Sequence, residues 1–340
     1  MHYSKELEEM ARKLVAPGRG ILAADESTAT IGKRLQKIGV QNEEEHRRAY
    51  RELLFTTPGI GEFISGAILY DETIRQAASD GKPFVDVMSK AGIVPGIKVD
   101  TGAKELAGSS SEKITEGLDG LRERIAEYYK IGARFAKWRA VITIGAGMPS
   151  DYCLRTNAHA LARYAALCQE GGLVPIVEPE VLMDGDHSIE RCYEVTHRTL
   201  GLVFEALGQQ EVVLENMLLK PNMVISGTAC SDQADVSRVA FETLRCFRQT
   251  VPAAVPGIVF LSGGQSNEKA TAHLNAMNQL EGLPWELSFS YGRALQAAAL
   301  EAWKGRSDQV QAAQKALYHR AKMNSLARSG RYSDQLEKAA

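Results

Sequence analysis

Ionisable side chains recur inside runs that otherwise read as buried. Lys137 and Arg139 interrupt RFAKWRAV, Glu178 and Glu180 interrupt LVPIVEPEV, and Lys98 and Asp100 close PGIKVD. Asp25 follows GILAA, and Lys220 stands in LLKPNMV. Burying an unpaired charge is costly, so a charge in such a run marks either a satisfied ion pair or a chemical role. Side chains in an extended strand alternate with period two, which puts Lys137 with Arg139, and Glu178 with Glu180, on one face each. Burial and cationic neighbours lower the pKa of an amine, and a neutral amine attacks a carbonyl. Lys220, Lys137 and Lys98 all fit that description, and spacing does not choose among them. Two further runs end in Ser262-Gly263-Gly264 and Ser290-Tyr291-Gly292-Arg293, where exposed amides beside a guanidinium suit a phosphate. Ser27 precedes TIGKRLQKIG, reads as a helix N-cap and is also placed to meet an anion.

Eight apolar runs must position these residues: 20–26, 66–72, 95–100, 134–141, 173–181, 218–224, 258–264 and 287–293. Each is followed by a longer polar stretch with helical patterning, an alternation that indicates parallel strands covered by helices. Eight such units spanning about 20–293 predict closure into an eight-stranded parallel (β/α)8 barrel, with a doubly wound open sheet as the alternative. Barrels of this kind gather functional residues at the C-terminal ends of their strands and often hold phosphate after strands seven and eight. Helical spacing over 4–15 and the Ala, Gln and Lys content of 308–328 predict extra helices at both ends. No linker divides the chain, so 1–340 is read as one domain, with C-terminal helices and a short tail over 294–340.

Composition narrows the function. Lys plus Arg number 40 and Asp plus Glu 42, a net charge of −2 that argues against nucleic-acid or anionic-membrane partners. Five dispersed cysteines form no C-x-x-C pair, and seven scattered histidines suggest no zinc set. His187, in DGDHS, reads as a solvated loop residue. No P-loop or dinucleotide fingerprint is present, so neither metal nor cofactor is expected. No apolar run is long enough to span a membrane, and the N-terminus resembles no targeting peptide, which suggests a cytoplasmic protein. Glu178 and Glu180 could be read as a glycosidase pair, but adjacent Lys and Arg favour a carbonyl or phosphate substrate.

The motifs GILAADEST, GIKVD, FAKWR, VPIVEPE, LLKPNMV, FLSGGQS and SYGRALQ, in this order, resemble class I fructose-bisphosphate aldolases across essentially the whole chain. The resemblance implies a TIM barrel, usually a homotetramer, that cleaves fructose 1,6-bisphosphate reversibly into dihydroxyacetone phosphate and glyceraldehyde 3-phosphate without a metal, in glycolysis and gluconeogenesis. It makes Lys220 the Schiff-base nucleophile and Lys137 a neighbouring cation that helps activate the amine. Glu178 becomes the acid/base of carbinolamine dehydration, Glu180 part of the same charge network, and Asp25 the base for the C-4 hydroxyl. Ser262, Gly263, Gly292 and Arg293 match a pocket for the C-1 phosphate. Ser27 and Lys98 match contacts to the other phosphate, and Arg139 a charged residue of the mouth. On this reading Lys137 and Arg139 disfavour protonation of Lys220.

Two departures stand out. Many relatives have a lysine where Thr101 stands, and many carry a tail tipped by a tyrosine that assists enamine protonation. Here the nearest tyrosine to the terminal Glu-Lys-Ala-Ala is Tyr332, which matches the sequence before that tail. Another residue or water is therefore expected to protonate the enamine. A non-catalytic phosphosugar-binding or scaffold barrel is the alternative function, since fold alone does not determine activity.

Overall fold

The computed structural model describes residues 4–109 and 111–338. Among these described residues ten strands form: β1 (Gly20–Ala24), β2 (Ile64–Leu69), β3 (Val94–Lys98), β4 (Gly102–Glu105), β5 (Lys113–Glu116), β6 (Phe135–Ile142), β7 (Val174–Val181), β8 (Leu218–Leu219), β9 (Gly257–Phe260) and β10 (Glu286–Tyr291). Eight of them close a parallel barrel in the order β1-β2-β3-β6-β7-β8-β9-β10, with β10 pairing back to β1. The fold is the (β/α)8 barrel expected from the spacing, not the open sheet.

Alternation along each strand sorts the side chains. On β6, Trp138 points outward and stacks on Tyr164 of helix Asp151–Glu170, with ring centroids 5.5 Å apart. Its neighbours in the strand, Phe135, Lys137 and Arg139, point inward. The lower barrel interior is apolar, built from Ile21, Ile68, Val94, Phe135, Val174, Ile176, Leu218 and Val259, and is plugged by Leu7, Ala11 and Leu14 of helix Ser4–Leu14. Hydrophobic burial thus fills the bottom and leaves the upper layer to charged residues.

Serine or aspartate caps start five of the helices. Ser27, Ser150, Ser188, Asp235 and Ser266 each accept the main-chain N–H three residues on, satisfying a donor that the helix cannot use itself. Ser27 caps helix Thr28–Lys37 as expected, and the predicted C-terminal helix is Val310–Arg328.

Three local features differ from the sequence expectation. The run 218–224 yields only two strand residues, because Pro221 has no N–H and ends the ladder after Lys220 N donates to Val177 O at 2.8 Å. Side chains take over the pairing there: Asn222 Oδ1 accepts Val181 N at the end of β7 at 3.0 Å, and Thr243 Oγ1 accepts Val224 N of the irregular segment at 2.9 Å. Second, β4 and β5 form an antiparallel hairpin after β3 whose polar residues gave no strand signal. Thr115 of β5 donates to Arg139 O at 2.7 Å and so braces the end of β6. Third, His187 is buried rather than solvated, at 9% exposure, in the loop whose main-chain oxygen holds Gly227 N at 2.8 Å.

Candidate active site

The C-terminal ends of the barrel strands enclose a cavity of about 520 Å³. Every residue that the resemblance assigns to the site lines it: Asp25, Ser27, Lys98, Lys137, Arg139, Glu178, Glu180, Lys220, Ser262, Gly263, Gly292 and Arg293. They come from seven barrel strands or the turns just after them. Register does the gathering, since Lys98 pairs laterally with Lys137, and Arg139 with Glu178, on adjoining strands.

At the base of the cavity four charges interlock. Lys137 Nζ lies 2.7 Å from Asp25 Oδ2 and 3.4 Å from Glu178 Oε2. Lys220 Nζ lies 3.2 Å from Glu178 Oε1. Glu178 therefore bridges two lysines, and its Oε2 makes no hydrogen bond among the described residues beyond that ionic contact. Burial pushes the Asp25 carboxyl up, but the Lys137 and Lys220 ammonium groups more than offset it and hold Asp25 well below the usual carboxylate range. Burial likewise opposes charge on Lys137, and Asp25 and Glu178 overcome it, so Lys137 is held above the usual amine value. Asp25 is thus an ionised carboxylate at neutral pH, and Lys137 a fixed cation.

A second tier of pairs has more exposed cations, Arg139 above all. Arg139 pairs with Glu180, while Lys98 Nζ meets Asp100 Oδ1 at 2.6 Å and Asp100 O at 2.7 Å. Asp100 also accepts Arg139 N at 3.3 Å and Gly102 N at 3.1 Å, which ties β6 to the hairpin. Across the mouth, Arg293 Nη2 donates to Gln265 O at 2.8 Å. Gly264 has φ +71° and runs against Met183, so a β-carbon there is excluded twice over. The tight turn leaves Ser262 and Gly263 at the cavity wall.

Several lining residues were given no role from the sequence, and two of them carry polar groups into the cavity. Arg34 shares a helix face with Ser27 and Thr30, a spacing of seven and four that the pattern contained, and it enters the cavity held by Glu26. Glu26 is buried between Arg34 and Arg51, the latter at 2.6 Å, and Gln296 Nε2 donates to it at 2.9 Å. Ser290 lies on the same face of β10 as Gly292 by the period-two rule. Its hydroxyl is buried, lines the cavity and has no partner among the described residues. Tyr332 is not among the lining residues and is buried beside helix Asp334–Lys338. The terminal Ala339 and Ala340 lie outside the described residues.

The arrangement can therefore hold an amine, a bridging carboxylate, a separate ionised carboxylate and two cationic rims, a combination suited to carbonyl chemistry on an anionic substrate. Comparison with known proteins agrees with that reading. The family model for class I fructose-bisphosphate aldolase matches residues 6–340. A probable fructose-bisphosphate aldolase class 1 of Xanthomonas campestris pv. campestris is 61% identical over 329 residues, covering 96% of this chain and 98% of that protein. Cytosolic fructose-bisphosphate aldolase 4 of Arabidopsis thaliana is 57% identical over 96% of this chain and 84% of its own length. The solved structure of fructose-bisphosphate aldolase from Plasmodium falciparum, in complex with TRAP and a small-molecule inhibitor, superposes with a TM-score of 0.96 at 52% identity, over 98% of this chain and 96% of that one. Barrel, cavity and similarity together place the chain in the class I fructose-bisphosphate aldolase family.

Proposed function

We propose that this aldolase cleaves fructose 1,6-bisphosphate through a Schiff base on Lys220, with Glu178, Asp25 and Lys137 in separate roles. The carrying observation is the bridge made by Glu178 between Lys220 and Lys137, with Asp25 on the far side of Lys137. Glu178 accepts the ammonium proton of Lys220, and the free amine attacks the C-2 ketone. The same carboxyl then protonates the departing carbinolamine hydroxyl, giving an iminium and water.

Asp25 takes the C-4 hydroxyl proton as the C-3 to C-4 bond breaks. The bonding pair moves into the iminium, leaving an enamine on Lys220 and releasing glyceraldehyde 3-phosphate. Lys137 steadies both carboxylates and the negative charge that develops beside them. Water or another cavity residue, rather than Tyr332, protonates the enamine at C-3, and hydrolysis releases dihydroxyacetone phosphate and Lys220. Ser262, Gly263, Gly292 and Arg293 take the C-1 phosphate, and Ser27 and Lys98 the other. Arg139 and Glu180 hold the rim charge between them.

The cytoplasmic location and homotetrameric assembly belong to the same proposal. Named relatives include a cytosolic aldolase, and no described helix is long and apolar enough to cross a membrane.

Incubation with dihydroxyacetone phosphate and borohydride should leave a reduced adduct on Lys220, located by peptide mass spectrometry. Lys220→Ala should fold, as judged by circular dichroism, yet lose cleavage and trapping. An unmodified Lys220 in active, borohydride-treated enzyme would overturn the assignment, and an unmodified Lys220 in folded protein without cleavage would favour a barrel that binds phosphosugars without catalysis.

A further inference from the structure

The segment 262–266, between β9 and helix Asn267–Asn278, serves the cavity twice. Ser262 and Gly263 line the wall, and the main-chain carbonyl of Gln265 accepts the one hydrogen bond that the exposed Arg293 guanidinium makes among the described residues. A long side chain with one tether is only as well aimed as the tether is fixed.

Gln265 is fixed from below. The residue is 6% exposed, and its Oε1 lies 2.6 Å from Nδ1 of His273, which is wholly buried in the second turn of the helix. Burial pushes the His273 imidazole down to about 4, with Lys269 adding to the effect, so the ring is neutral at physiological pH. Protonated on Nδ1, it donates to Gln265 Oε1. Neither His273 Nε2 nor Gln265 Nε2 has another partner among the described residues. The polar anchoring of the Gln265 side chain is this single buried contact.

We propose that His273 is a positioning residue of the phosphate pocket: it fixes Gln265, and through the Gln265 carbonyl and the loop it aims Arg293, Ser262 and Gly263. The proposal rests on the reading that these residues receive a substrate phosphate. His273 acts ahead of chemistry, so its loss weakens substrate capture while leaving the Lys220, Glu178 and Asp25 steps intact.

Steady-state cleavage of fructose 1,6-bisphosphate separates these effects. His273→Leu removes the donor, and KM should rise about tenfold, the size of one lost buried hydrogen bond, with kcat within about twofold. The inhibition constant of inorganic phosphate should rise in parallel. His273→Asn keeps an amide nitrogen close to the Nδ1 position and should hold KM near the unaltered enzyme. Gln265→Ala removes the acceptor without touching the buried ring and should reproduce the KM rise, which keeps the test open if His273→Leu does not fold. Lowered thermal stability with unchanged KM and phosphate inhibition in both His273→Leu and Gln265→Ala would reduce His273 to a packing residue and overturn the proposal. Arg293→Ala serves as the control: an unchanged KM there would overturn the phosphate assignment itself, whereas a raised KM with unaffected His273 and Gln265 variants would overturn only the positioning role.

Discussion

Asp25 and Glu178 are both carboxylates at strand ends, but their surroundings separate them. Asp25 faces one lysine at close range with a second adding to its field, and is held ionised. Glu178 sits between two amines with one oxygen free of hydrogen bonds among the described residues, which suits a group that both takes and returns a proton. We predict that Asp25→Asn lowers kcat by about 10²- to 10⁴-fold, the usual contribution of a positioned base. Borohydride trapping at Lys220 with dihydroxyacetone phosphate should proceed at close to the normal rate in the same variant. Equal loss of trapping and cleavage would move Asp25 into imine formation. The residue types were legible because charges stand out in apolar runs. Their partners were not, since Asp25 and Lys137 lie 112 positions apart in the chain and meet only across a closed barrel.

At the scale of elements, β3 and β6 show how strand packing supports the charged layer. Phe135 fills the interior two residues below Lys137, and a β-carbon on Gly96 of β3 would come within 2.2 Å of its ring. That ring is wholly buried in the same apolar cluster as Leu14 and Val174, so it has little room to yield. Gly96→Ala should therefore lower stability by about 1–3 kcal/mol in urea unfolding, the range for an overpacked core. Combining it with Phe135→Leu should recover part of that loss relative to the sum of the two single changes, and strict additivity would show that the two positions do not compete for space. The strands themselves were readable from their apolar runs. The hairpin β4–β5 was not, because GAKE and KITE carry little apolar alternation; its strands are held by pairing with each other and by Thr115 on Arg139 O.

Over the whole molecule, one residue of the C-terminal helix ties the ends of the barrel together. Arg328 donates to Leu287 O at 2.8 Å and also to Val15 O, joining the last strand, the N-terminal plug and helix Val310–Arg328. We predict a single urea transition for the chain, in keeping with one domain, and a midpoint that depends on pH in a defined sense. Asp25 and Glu26 are held below their unfolded values of 3.8 and 4.5, so their contributions are complete above those values and are lost as pH falls. Lys137 is held above 10.5, so its contribution is complete below that value and is lost only as pH rises past it. The midpoint should be level between 4.5 and 10.5 as far as these groups decide it, and should drop below 4.5. Asp25→Asn should lessen the acid drop, and an identical acid profile would show that other carboxylates control it.

The sequence by itself determined which faces of the strands carry charge, because alternation in an extended chain follows from backbone geometry alone. It also determined the alternation of strands and helices, and through long motifs the family. Tertiary structure decided what each charge is paired with: Glu178 with both lysines, Glu180 with Arg139, Asp100 with Lys98, and Glu26 with Arg34 and Arg51. It also brought Ser290 to the cavity and set His273 beneath Gln265. The physical reason is range: local pattern reports on a residue's own strand or helix, whereas ionisation and aim depend on groups a few ångströms away that belong to other strands, and only the register of the closed barrel brings them there.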